Sequence, residues 1–180
     1  MIFKDVQNNR PDDIFSIREY QPYWQDKYLK IKNDKFDNWS DKILDLKKDY
    51  NSAIQYFFQK LDPLLLYGFP IVVVPSHNPD ARVTGICRLA KLLARNNRID
   101  ATQCLCRHKK IQKLSWGGDR SIELHFKSIN VRYPELVLTR EVLLLDDVTT
   151  TGNSLEACKQ LLLQSGARQV QCVALGKTVR

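Results

Sequence analysis

Residues 142–155 read Val-Leu-Leu-Leu-Asp-Asp-Val-Thr-Thr-Thr-Gly-Asn-Ser-Leu: an apolar run, two acids, a hydroxyl-rich turn and a new helical pattern in direct succession. The run Val142–Leu145 has the continuity of a strand buried on both faces. Such strands belong to parallel sheets whose carboxyl ends face a ligand crevice. Asp146 and Asp147 are placed at that end. Behind them Thr149, Thr150 and Thr151 offer hydroxyls, and Gly152 permits a backbone conformation closed to other residues. The helix expected from about Ser154 presents unpaired N–H groups, which completes the parts of a phosphate cradle. Carboxylates this near an anion pocket suit neutral hydroxyls, such as those of a ribose, or a metal ion. A threonine-rich turn capping a buried strand is the plainer alternative.

Working outward, Ile71–Val74 is a second short apolar run, entered through Gly68-Phe69-Pro70 and followed by the loop Pro75-Ser76-His77-Asn78-Pro79. Residues 81–95 carry apolar positions at helical spacing, and Ala101–Cys106 is a shorter strand candidate, which together make a β-α-β unit. From Arg107 to Arg140 periodicity fades. Basic residues, Trp116, Gly117-Gly118 and a weakly alternating Ser121–Ile129 predict a loop or hairpin there. A helix from about Ser154 to Gln164, stopped by Gly166, and a strand Gln169–Leu175 complete the pattern. The order predicts an α/β fold with a doubly wound, mostly parallel sheet.

The signature resembles the phosphoribosyl pyrophosphate (PRPP) motif of type I phosphoribosyltransferases, in which an apolar run is followed by acid-acid, an apolar residue, one variable position, Thr-Thr-Gly, one variable position and Ser or Thr. The likeness covers about residues 68–177, with the insertion at about 107–140 in the place of the family's mobile hood. It implies transfer of ribose 5-phosphate from PRPP to a nitrogen acceptor, with release of pyrophosphate and with Mg2+ as cofactor. By that resemblance Asp146 and Asp147 are catalytic ribose ligands and Thr149, Thr150, Thr151, Gly152, Asn153 and Ser154 grip the 5-phosphate. Ser76, His77 and Asn78 match the pyrophosphate loop, and Arg107, Lys109 and Lys110 could close over pyrophosphate. Magnesium would be held mainly through PRPP, near Asp146 and Asp147. Exposed loop residues are the alternative for His77 and for the basic cluster, which also includes Lys113. Arg120 and His125 receive no definite role.

One departure bears on the acceptor. Family members using hypoxanthine or guanine carry an aspartate where this chain has Thr150, and threonine cannot exchange that proton. The acceptor stays open between a nucleobase and a similar nitrogen compound.

Residues 1–66 are read as an N-terminal extension or cap, partly helical, and 67–180 as the core. Asp41–Phe58 shows one apolar face and predicts an amphipathic helix, and Ile14–Tyr23 is a strand candidate. The net charge of +8 is uneven: residues 1–66 hold eleven basic and eleven acidic side chains, residues 67–180 seventeen and nine. That field favours a polyanionic small molecule or, equally, nucleic acid.

No run of eighteen uncharged apolar residues and no apolar leader occur, so a cytoplasmic protein without membrane contact is expected. The five cysteines, Cys87, Cys104, Cys106, Cys158 and Cys172, read as free thiols. Cys104-Leu-Cys106 with His108 lacks a second ligand pair for zinc. Expected partners are PRPP, the acceptor and further copies of the chain in a homo-oligomer. The alternative function is a non-catalytic PRPP- or nucleotide-binding regulator, or a partner subunit in a larger bacterial system.

Overall fold

The computed structural model describes residues 1–79, 83–111 and 121–179. The expectations attached to Lys113, Trp116, Gly117, Gly118 and Arg120 lie outside the described residues. Five parallel strands form the main sheet: β1 (Ile14–Tyr20), β4 (Pro70–Val73), β5 (Ile99–Asp100), β8 (Glu141–Thr149) and β9 (Gln169–Thr178), in spatial order β1-β9-β8-β4-β5. Two small antiparallel ribbons accompany it. One pairs β2 (Trp24–Asp26) with β3 (Ile31–Lys32), the other β6 (Leu105–Arg107) with β7 (Ile129–Val131).

The continuous apolar runs are explained by burial on both faces. Ile71, Val73, Leu143, Leu145, Val173 and Leu175 point to one side, where they meet α1 (Asn38–Lys47), α2 (Asn51–Leu61) and α3 (Gly85–Ala94). Val72, Val142, Leu144, Val170, Cys172 and Ala174 point to the other, against Leu155, Cys158 and Leu162 of α5 (Asn153–Gln164) and against Leu105 and Ile129 of the second ribbon. Parallel strands with helices on both faces make this an α/β fold compatible with a doubly wound sheet.

The segment 1–66 contributes directly to this body. β1 pairs along β9 from Ile14 opposite Cys172 to Tyr20 opposite Thr178. The side chain of Gln171 is 1% exposed, accepts from Arg10 N at 2.6 Å and donates to Arg10 O at 2.9 Å, which fastens the approach to β1. Trp39, Ile43 and Leu46 of α1 and Ala53, Ile54, Phe57 and Leu61 of α2 are buried in the same cluster as β4 and β8.

Four local expectations are corrected. The single helix over Asp41–Phe58 is two helices, because Asp49 takes a left-handed conformation (φ 65°) and Tyr50 an extended one. Aspartate is among the few non-glycine residues that tolerate φ above zero. The strand expected at Ala101–Cys106 is divided. Ile99–Asp100 joins the sheet, Thr102 N and Oγ1 donate to Asp100 Oδ1 in a turn, and Leu105–Arg107 crosses to the second ribbon. Within Ser121–Ile129, α4 (Ile122–Ser128) replaces the alternating segment, started by Ser121 Oγ accepting from Leu124 N. β8 runs past Leu145 to Thr149, so the two acids lie within the strand rather than beyond it.

Candidate functional site

The crevice follows from unequal strand lengths. β4 ends at Val73, opposite Leu145, and Val74 N makes the last bond, to Leu145 O at 3.1 Å. β8 continues beside β9, where Asp146 faces Ala174 and Thr149 faces Lys177. From Asp146 onward β8 therefore has no neighbour on the β4 side, and the chain after β4 turns away as the loop 75–79. Successive connections leave β4 and β8 in opposite directions, toward β5 and β9, so this is the switch point of the sheet, where open α/β folds bind ligands.

A cavity of about 480 Å³ occupies that point, within the usual range of small-molecule sites. Ser76 and His77 of the loop after β4, Asp146, Asp147, Thr150 and Ser154 of the signature, and the buried Arg107 and His125 all line it. A second hollow of about 560 Å³ lies across the threonine turn, lined by Thr149, Thr151 and Gly152 together with Arg10, Asp13 and Lys177. Thr150 faces both, and its Oγ1 lies 3.1 Å from Thr178 Oγ1. The turn thus divides two spaces, with Ser154 on the side of the acid pair and Thr150 bordering both.

Gly152 precedes α5 at φ 84° and contributes no side-chain cap, and the first turn of the helix meets the cavity through Ser154. A Cβ at Gly152 would stand 2.5 Å from Ile14 Cδ1 of β1, so glycine serves here both the left-handed turn and the close approach of the edge strand.

The acid pair is electrostatically uneven. Burial, and then the neighbouring Asp147 charge, push the Asp146 carboxyl up to about 8, although part of its surface faces the cavity, while Lys47 works in the opposite direction. Asp146 Oδ1 accepts from Asp147 N at 2.8 Å. Lys47 Nζ donates to Asp147 Oδ1 at 2.6 Å. Burial pulls the Lys47 ammonium down, but the Asp147 carboxylate outweighs it and the net shift is upward. Tyr20, at the end of β1, also lines the cavity, and its phenol is raised by burial.

Arg107 is only 6% exposed. Its Nε donates to Ser76 O at 2.6 Å, Nη1 to Ser128 Oγ, and Nη2 to Pro75 O at 3.5 Å. The guanidinium therefore braces the loop from beneath instead of reaching over it, and burial lowers its pKa. Asn78 lines a neighbouring pocket of about 190 Å³ that Cys87 and Cys106 also border. Lys109 and Lys110 are exposed and do not line the cavity, whereas Ile111 N binds His77 O at 3.1 Å and ties that strand exit to the loop.

Sequence reasoning missed Lys47, Tyr20, Thr84 and the placement of His125. Lys47 carries no local signal, since a lysine in the last turn of an amphipathic helix is ordinary. All five cysteines are free thiols, and burial raises those of Cys104, Cys158 and Cys172. No described helix is long and apolar enough to cross a membrane. No protein-family profile matches the chain, and a search of curated proteins returns no match either.

Proposed function

We propose that the chain is a PRPP-dependent phosphoribosyltransferase of type I fold that moves ribose 5-phosphate to a nitrogen acceptor and releases pyrophosphate. The observation that carries this reading is the position of the signature: Asp146, Asp147, Thr150 and Ser154 line one cavity at the carboxyl end of β8, facing Ser76 and His77 across the switch point. In this reading the one cavity offers the loop of Ser76 and His77 to pyrophosphate, the acid pair to the ribose hydroxyls, and Thr150 and Ser154 at the start of α5 to the 5-phosphate.

In this reading Thr150, Ser154 and the first amides of α5 hold the 5-phosphate, which stays fixed while the bond to pyrophosphate breaks. Asp147 accepts the ribose hydroxyls and stabilises positive charge as it builds on the ring. Burial first and Asp147 second push the Asp146 carboxyl up, which favours its protonated form as a hydrogen-bond donor at the same edge. Ser76 and His77 meet the leaving group, with Arg107 fixing the carbonyls behind them. Magnesium, when bound, neutralises the pyrophosphate. The residues present fit it: Asp147 already holds one cation, the Lys47 ammonium, on Oδ1, and its carboxylate beside Asp146 could share an ion whose other ligands are PRPP oxygens. The segment 1–66 adds Tyr20 and Lys47 to the acceptor side of the cavity.

The test is pyrophosphate release by the purified chain with PRPP and magnesium, with and without a pool of nucleobases and small nitrogen acceptors. Pool-dependent release is expected. PRPP binding without release under every acceptor would replace the transferase with the PRPP-binding regulator or partner subunit.

A further inference from the structure

His125 sits between the buried arginine and the anion-gripping serine. It is 2% exposed, on α4, inside the insertion. Its Nδ1 lies 3.4 Å from Arg107 Nη2, and its Nε2 lies 3.2 Å from Ser154 Oγ. Ser128, whose Oγ accepts from Arg107, donates in turn to His125 O at 3.1 Å, so the imidazole is held from its backbone as well.

We infer that His125 is a positioning residue: a neutral imidazole, fixed by Arg107 as the Nε2–H tautomer, that donates to Ser154 Oγ and thereby aims the Ser154 hydroxyl proton at a bound phosphate oxygen. The steps are chemical. A guanidinium can only donate, so the ring nitrogen facing it must carry a lone pair. A neutral imidazole with a lone pair on Nδ1 carries its proton on Nε2. Ser154 Oγ then receives that proton as an acceptor, and its own O–H is left to donate elsewhere. Ser154 opens the first turn of α5 and lines the cavity, where that donor adds to the helix amides.

The same arginine holds both anion-gripping segments. Through Nε and Nη2 it fixes the carbonyls of Pro75 and Ser76, and through His125 it orients Ser154. Among the described residues Arg107 forms no ion pair with an acid, so a buried positive charge borders the cavity with only neutral acceptors around it. A polyanion bound between the two loops supplies the missing negative charge. This inference rests on the PRPP reading and deepens it: the 5-phosphate grip depends on a residue outside the signature.

The experiment combines 15N NMR of the histidine side chains with PRPP titration in magnesium, by calorimetry, of the wild type and of His125→Gln, His125→Leu, Ser154→Ala and the His125→Leu/Ser154→Ala pair. The expected spectrum of the wild type shows His125 unprotonated at Nδ1 and protonated at Nε2. His125→Leu should weaken PRPP binding about tenfold, a loss of about 1.4 kcal/mol. His125→Gln, whose amide can still donate to Ser154, should stay within about threefold of wild type. Adding Ser154→Ala to His125→Leu should cost little more, because both changes remove one hydroxyl contact.

A proton on Nδ1, unchanged affinity in a folded His125→Leu, or additive losses in the pair would overturn the assignment. Wild-type protein that binds no PRPP would overturn the transferase reading along with it, whereas wild-type binding with an unaffected His125→Leu would remove this inference alone. The NMR arm decides the tautomer even where a variant does not fold.

Discussion

Lys47 of α1 and Asp147 of β8, one hundred residues apart in the chain, form an ion pair of 2.6 Å inside the candidate site. The pair joins the segment that carries no recognisable motif to the segment that carries the strongest one. It also explains how two adjacent acids coexist: period-two alternation sends Asp147 toward α1, where Lys47 meets it, while Asp146 stays crowded by protein and retains its proton more firmly.

Replacing Lys47 by Met should therefore separate stability from ligand binding. The lysine side chain is 40% exposed, so solvent screening limits its contribution to roughly 0.5–1 kcal/mol, and the urea midpoint should move only slightly. PRPP affinity should fall about tenfold, because the ammonium no longer holds the Asp147 carboxylate in the position from which it would accept the ribose hydroxyls. Calorimetric titration beside urea unfolding checks both halves. A large stability loss with intact PRPP binding would assign Lys47 a purely structural role.

Asp147→Asn should reduce PRPP-dependent pyrophosphate release at least tenfold in a protein that stays folded, since one ribose acceptor becomes a neutral amide of nearly the same shape. Circular dichroism verifies the fold and a coupled pyrophosphate assay the rate. Unchanged turnover would remove the acid pair from the mechanism.

Asp146 gives the protein a pH signature. Its carboxyl is held at about 8 in the fold, above its ordinary value, by burial first and by Asp147 second. A raised folded-state pKa means that the native state binds the proton more tightly than the unfolded chain, so this stabilisation is complete in acid and is lost as pH climbs toward 8. Asp146→Asn abolishes the titration. Relative to wild type, the variant should gain about 1 kcal/mol or more between pH 5 and pH 8 in urea unfolding with a chelator present. Parallel pH profiles of the two proteins would contradict the assignment.

The legible parts of this fold were those where burial on both faces left an unbroken apolar run. β4 and β8 announce themselves in that way, and Gly152 and Gly166 mark the ends of α5 because both take φ above zero. β1 was harder to see as a sheet member. It is an edge strand with half-buried residues, Ile14 to Tyr20, and its partner lies at the other end of the chain, where no local pattern can point to it. The site divides along the same line. Asp146, Asp147, Thr150 and Ser154 come from one continuous motif. Lys47, Tyr20 and His125 reach the cavity only through tertiary packing, and in isolation each resembles an ordinary helix or strand residue. Arg107 was found by its charge, but its burial and its bonds to the carbonyls of Pro75 and Ser76 come from packing that no local pattern shows.

Gly85→Ala tests whether the first 66 residues and the rest form one cooperative body. Gly85 begins α3, and a Cβ there would stand 2.0 Å from Leu46 O of α1, a backbone atom that cannot step aside without moving the helix. The substitution has to push α1 off α3, and α1 carries Lys47. Overpacking of this kind costs about 1–3 kcal/mol. In urea the midpoint should fall by that amount while unfolding stays a single transition, the same by fluorescence and circular dichroism. PRPP binding should weaken as well, since the Lys47–Asp147 contact is stretched. Two separate transitions, with only the first moved by the substitution, would instead show the N-terminal segment to be a cap that docks on an independently stable core.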